Sequence, residues 1–242
     1  FNNSIYQIPH LFPDAQTKNL VICVTGIGAN GEFSALMTDA IPNLHTLDTG
    51  QCFPLKIYEE LDQDSNDLLS CQGDRYHVRD GITNDALESF QAAYPGEAIS
   101  KEDIFYYIYG LLHSPDYRER FGNNLSKQLP RIPAVKRFED FKAFSDAGRN
   151  LGDLHVNYER IDPHPVTIAE GDLRLASIED PESFYRVKKM KVAGKRGSED
   201  WTTVHYNKNI TITNIPLEAW DYVVNGKPAL KWVMERQQVT MD

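Results

Sequence analysis

Residues 103–133, DIFYYIYGLLHSPDYRERFGNNLSKQLPRIP, constrain the fold most, because two helices and the turn between them are written into one continuous run. Ser100 and Asp103 have the spacing of a capping box, and Ile104, Tyr107, Ile108 and Leu111 then recur on one helical face. Ser114 reads as an N-cap with Pro115 at the first helical position, and Tyr117, Phe121 and Leu125 follow at four-residue intervals before Pro130 and Pro133 stop the run. The pattern predicts a helical hairpin whose apolar faces lie in a core.

A chain of 242 residues can bury such a core as one large domain or two small ones. No apolar run approaches the roughly 20 residues that a bilayer span needs. The chain opens at Phe1, with neither a methionine nor a signal-peptide pattern, and is expected to be an excised fragment. Cys23, Cys52 and Cys71 are odd in number and lack C-x-x-C spacing, which argues against a disulfide framework or a structural zinc site and fits a reducing cytoplasm.

The net charge of -10 is unevenly spread. Residues 1–100 hold 4 basic and 14 acidic side chains, whereas residues 101–242 hold 21 of each. Two basic zones stand out: residues 118–142 carry seven Lys or Arg against three acids, and residues 184–208 carry seven against two.

Strands are expected at residues 4–8, 20–25 and 52–58, and the acidic run 59–74 reads as a loop or internal boundary. A helical block follows, with a short helix at 84–94, the hairpin, and a longer helix at 138–158 whose buried side is expected to be Phe141, Phe144, Ala147, Leu151 and Leu154. Beyond Asp162 short strands return at 184–192, 201–206 and 210–213, the last two paired around residues 207–209, and two short helices at 217–223 and 228–237 close the chain. The fold class expected is α+β without a Rossmann domain: a β-rich part at 1–75, a helical block at 76–162, and a β-meander with closing helices at 163–242, together one compact domain.

Gly26, Gly28 and Gly31 form a literal G-x-G-x-x-G after an apolar strand, as in a dinucleotide-binding turn. Residues 33–40 offer only a short helical possibility before Pro42, too little for a crossover helix, so a glycine-rich turn is the stronger reading. The seven histidines show no metal-binding spacing, and His113 and His155 read as helix-end or core residues. Nucleophile elbows and phosphate loops are absent from the sequence, so catalysis has no visible address.

Recognition chemistry has better candidates. Arg186, Lys188, Lys189, Lys191, Lys195 and Arg196 fall within eleven residues on an expected strand and the turn after it, where alternation would charge both faces of a ribbon able to follow phosphates. Lys208 sits in the following turn, while Lys127, Arg131, Lys136 and Arg137 surround the segment LPRIP. The alternative for the first zone is a solubilised hairpin, and for the second that Arg131 is a structural partner of a core carboxylate.

The wording of the chain resembles the C-terminal target-recognition region of type ISP restriction-modification enzymes, single-polypeptide relatives of type I systems. The resemblance spans most of the chain and is strongest in the hairpin through LPRIP, in LGDLHVNYE (151–159), and in VHYNKNITITNIP (204–216) with YVVNGKPALKWVMERQQV (222–239). The stretch VTGIGANGEFSALMTDAIPNLH also resembles the family, which moves its glycines away from a nucleotide site. The resemblance implies recognition of double-stranded DNA in the bacterial cytoplasm, beside methyltransferase, translocase and nuclease domains of the same polypeptide. S-adenosylmethionine, ATP and Mg are implied for that parent, with no cofactor, metal or catalytic residue in this fragment. The family is expected to continue past residues 237–239. The DNA-contact candidates, chosen on charge and expected exposure, are Lys188, Lys189, Lys191, Lys195, Arg196, Lys136, Arg137 and Lys208. Two other readings stay open: docking on the methyltransferase core, and a nucleotide-binding enzyme built on residues 26–31.

Overall fold

The structure, a computed structural model, describes residues 8–29, 31–43, 46–61, 75–125, 127–170, 178 and 180–238. The fold is α+β, and the chain divides into two compact units, residues 1–161 and 162–242. The expected strand at 4–8 lies outside the described residues up to position 7, and Ile8 opens a short helical turn. Most of the acidic run, residues 62–74, also lies outside them.

In the first unit, β1 (Val21–Val24) is the centre of an antiparallel sheet between β2 (Ala35–Thr38) and β3 (Gln51–Pro54). A second pair, β4 (Lys56–Glu60) and β5 (Tyr76–Asp80), carries cross-strand ion pairs between Lys56 and Asp80 and between Arg79 and Glu59. The helices are α1 (Asn84–Ala93), α2 (Lys101–His113), α3 (Pro115–Leu125) and α4 (Phe138–Val156). Their starts follow from local chemistry: Thr83 caps α1, and Ser100 and Asp103 close the capping box of α2.

Residues 33–40, read as a possible helix, contain β2 instead. Alternation decides it: Ala35 and Met37 are buried with Ile22 and Val24 against the helices, while Leu36 and Thr38 are half-exposed. Because β2 returns antiparallel to β1, residues 26–31 do not lead into a parallel crossover, and the dinucleotide reading is lost. The glycines serve geometry: Gly28 has φ +81°, and a Cβ on Gly26 would stand 1.8 Å from the Thr49 carbonyl oxygen.

Helix α2 is buried on nearly every side and crosses α4 at very short range. A Cβ on Gly148 would lie 2.0 Å from the Tyr106 carbonyl oxygen, and one on Gly110 would lie 2.2 Å from that of Phe144. The most buried residues of α4 are Phe141, as expected, and Ser145, Gly148 and Gly152, which apolar spacing passed over, while Phe144 and Leu151 pack half-buried against the same core. Ala147 and Leu154 are exposed, because burial here follows how closely two backbones approach rather than side-chain bulk. Ser145 donates to the Asp103 carbonyl (2.9 Å), and Arg149 lies over the Tyr106 ring while pairing with Glu102 (2.6 Å).

Past α3 the chain runs extended across the helices, and three tyrosine hydroxyls hold it at alternate residues. Tyr117 donates to the Arg131 carbonyl (2.8 Å), Tyr107 to that of Pro133 (2.6 Å) and Tyr94 to that of Val135 (2.7 Å). Burial raises the pKa of all three phenols, which keeps them protonated as donors.

In the second unit, β6 (Thr167–Glu170), β9 (Ile210–Thr213), β8 (Ser198–His205) and β7 (Lys191–Lys195) form an antiparallel sheet in that spatial order. The 3-10 helix Leu217–Trp220 and α6 (Ala229–Arg236) supply its other elements with α5 (Pro181–Tyr185), and the two-residue strands β10 (Val223–Val224) and β11 (Lys227–Pro228) turn at Asn225 and Gly226. Trp220 anchors the core, packing edge-on against Trp201 and donating its indole N–H to the Trp201 carbonyl (2.8 Å).

Two outcomes test these assignments. Gly148→Ala should cost about 3 kcal/mol of unfolding free energy, since the extra methyl meets backbone that cannot step aside. Ala147→Ser, one residue away on the exposed side, should cost at most roughly 0.5 kcal/mol, and equal losses in a urea titration would refute the crossing. The second concerns His113, whose imidazole is pushed down to about 3 by burial, with Arg118 and His155 adding repulsion. His155 is also lowered by burial. His113 stays neutral in the fold over this range and His155 takes its proton less readily than a free imidazole, so below the ordinary histidine value of about 6.5 the unfolded chain binds more protons. Stability is complete above that pH and declines as pH falls toward His113's folded value. The urea midpoint should drop between pH 7 and pH 5, and His113→Gln should flatten the drop; a midpoint indifferent to pH would sink the assignment.

Candidate nucleic-acid interface

The basic candidates fall in both units. In the second, the expected strand at 184–192 is replaced by α5 and an irregular span, with β7 starting only at Lys191. The helix has a clear cause: Pro181 occupies its first turn, and the Asp180 carboxylate accepts the Ser183 N–H at 3.1 Å. Val187 and Met190 are buried as anchors of the span, and Lys188 and Lys189 between them are exposed. Arg186 is also exposed but pairs with Glu182 at 3.3 Å.

Residues 207–209 turn β8 into β9, as expected from the pairing of 201–206 with 210–213. Asn207 and Asn209 both donate side-chain N–H groups to the Phe184 carbonyl, at 2.9 and 3.0 Å. This ties the turn to the end of α5, so exposed Lys208 stands beside the span that carries Lys188 and Lys189.

Lys195 and Arg196 lie at the opposite end of β7. Four residue steps along the strand take Lys191 to Lys195, roughly 13 Å of rise. The tip is shaped by two glycines, Gly194 at φ +91° and Gly197 at φ +87°. Arg196 is exposed in the turn itself, and the Glu199 carboxylate accepts the Gly197 N–H on both oxygens at 3.1 Å, which lowers its pKa. The basic ribbon is thus two groups at the two ends of a hairpin, not one cluster.

Register sorts the residues between them by face. Val192, Val204 and Ile212 stand opposite one another and pack toward the core of this unit. The next row is Lys191, His205 and Thr211, on the open face, where His205 Nδ1 lies 3.1 Å from Thr211 Oγ1. Lys191 and His205 are exposed. Donors and acceptors in such a row can meet base edges as well as phosphates. Charge counting missed His205 and Thr211; the alternation of VHY and ITI about the turn is the signal that would have found them. A bulge next to this row inserts residues 201–203 of β8 between the partners of Val192 and Ala193.

In the first unit, Lys136 and Arg137 follow directly on the segment held by the tyrosine hydroxyls. Lys136 is exposed. Arg137 forks onto Asp140 with contacts of 2.9 and 2.5 Å, which holds the Asp140 carboxyl below its ordinary range and occupies the guanidinium. Among the described residues, groups of three or more His, Cys, Asp or Glu side chains able to hold a metal ion do not occur. In the same residues no helix is long and apolar enough to cross a membrane.

Three DNA-bound enzymes resemble the chain over 98% of its length. They are a nuclease-deletion mutant of the type ISP restriction-modification enzyme LlaGI with a DNA substrate mimic (33% identity, TM-score 0.68), the ATP-dependent type ISP enzyme LlaBIII bound to DNA (33%, 0.74), and DrdV in complex with DNA (30%, 0.80). The chain spans only 15%, 14% and 22% of those three chains. No match to a curated protein is found. The family model for the type ISP C-terminal specificity domain covers residues 1–242, and the chain belongs to that family.

Proposed function

We propose that the chain reads the duplex DNA target for a larger restriction-modification polypeptide of the bacterial cytoplasm. The observation that carries this is similarity over 98% of the chain to enzymes held on DNA. The reading assigns phosphate contacts to Lys188, Lys189 and Lys208 at one end of the β7–β8 hairpin and to Lys195 and Arg196 at the other, with Lys136 as a separate contact from the first unit. Lys191, His205 and Thr211 then face the groove between the two ends. Arg137 contributes least, because its guanidinium already holds Asp140.

Methyl transfer, ATP-driven translocation and cleavage belong to other domains of the parent, with S-adenosylmethionine, ATP and Mg bound there. On this reading the fragment recognises DNA and does not react. Assays of methyl transfer, ATP hydrolysis and DNA cleavage should stay at background, and turnover above that of a matched control preparation would count against it.

The contact assignment is tested by binding across a salt series on cognate and random duplex, with the parent enzyme used if the fragment binds weakly. Removing one phosphate contact should flatten the slope of log K against log salt by about 0.9. Lys189→Ala and Arg196→Ala should do so equally on both duplexes. His205→Ala should instead cost roughly 1 to 3 kcal/mol on the cognate site and little on random sequence. Unchanged affinity and slope for all of them would hand the hairpin to the docking reading, in which this surface meets the methyltransferase core.

A further inference from the structure

The first unit brings two of the three cysteines together across its sheet. Cys23 on β1 and Cys52 on β3 are direct partners in the antiparallel register, and their sulfur atoms are 3.6 Å apart. The register also fixes the kind of pair. Leu55 donates its N–H to the Leu20 carbonyl (2.7 Å), so residues 20 and 55 face each other as a hydrogen-bonded pair. Alternation makes residues 21 and 54 a non-bonded pair, consistent with Pro54 having no N–H, and makes Cys23 and Cys52 the next non-bonded pair.

That class of pair brings Cα atoms to about 4.5 Å, within the range of about 4.4 to 6.8 Å that a disulfide bridges. Cys23 is 1% exposed, while Cys52 is half-buried and open to a small reagent. The bond between the thiols also divides their chemistry. It holds the Cys52 thiol below its ordinary range, and together with burial it pushes the Cys23 thiol up. The sulfur a small oxidant reaches is the one favoured as thiolate.

We propose that Cys23 and Cys52 are a modification site, joined reversibly by a peroxide-class oxidant into a cross-strand disulfide. The Cys52 thiol gives up its proton, the thiolate attacks one peroxide oxygen, the O–O bond breaks, and a sulfenic acid forms as the leaving hydroxide takes up that proton and departs as the first water. The Cys23 sulfur then attacks the Cys52 sulfur, giving up its proton; the S–S bond forms, the S–O bond breaks and the second water leaves. Two thiols are oxidised by two electrons in total, and one peroxide is reduced to two waters. The bond closes a covalent ring around β2 and the glycine turn after β1, and a thiol reductant reopens it. This inference does not depend on the DNA reading.

The whole 242-residue chain, prepared reduced, is exposed to hydrogen peroxide and then denatured for thiol counting. The expected result is one titratable thiol of the three, an intact mass lower by two hydrogens, and a peptide map linking Cys23 to Cys52. The thermal midpoint should rise by several degrees and return on reduction, because the ring restricts the unfolded chain. Cys71→Ser should still form the link, and Cys52→Ser should not. Three thiols surviving peroxide that oxidises a reference dithiol would overturn the proposal. So would a link running through Cys71, or Cys52 stopping at sulfinic acid with Cys23 free.

Discussion

Helices α2 and α4 touch through backbone, and the architecture of the first unit follows from that contact. With glycine at 110 and 148 the carbonyls of Tyr106 and Phe144 occupy space that any side chain would claim. This approach carries Ser145 onto the Asp103 carbonyl and Arg149 onto the Tyr106 ring, so polar groups seal the edge of an apolar seam. Gly152 extends the same face to Met37 of β2, whose sulfur a Cβ there would meet at 2.6 Å. Sheet and helices therefore close on one spine of small residues.

The two units solve the packing problem differently. The first surrounds one buried helix, whereas the second folds a four-stranded sheet against aromatic and aliphatic side chains gathered around Trp220. Each has its own core, so the basic hairpin of the second rests on support independent of the α2–α4 crossing. Its cationic side chains are exposed while Val187, Met190 and Val204 keep the backbone beneath them fixed. Backbone held from beneath, under exposed charged ends, suits a surface that meets a polyanion.

Helix ends were legible because capping is local chemistry: the box at Ser100 and Asp103, and Pro115 opening α3, need no knowledge of the rest of the chain. The buried face of α4 was legible only in part: Phe141 lies in the core and Phe144 and Leu151 pack against it, but the crossing selects Ser145, Gly148 and Gly152 for their small size and leaves Ala147 and Leu154 outside. Strand β2 was mistaken for a possible helix because four residues hold too little periodicity, and only pairing with Val21–Val24 makes it a strand. The site divides the same way. Basic residues can be counted, but occupation of Arg137 by Asp140, the separation of the two ends of the hairpin and the row through His205 and Thr211 require topology. The meeting of Cys23 with Cys52 likewise depends on a register set by distant residues.

The three tyrosine hydroxyls along residues 131–135 have an evolutionary consequence. They grip carbonyl oxygens, which every amino acid carries, so the hold on this segment is indifferent to the side chains displayed there. Ile132 and Val135 remain bound to the core by packing, but Arg131, Ala134 and Lys136 point their variation outward. Substitutions at those positions change what the surface presents without loosening the path of the chain. A segment held by its main chain is one that selection can rewrite while its geometry stays constant.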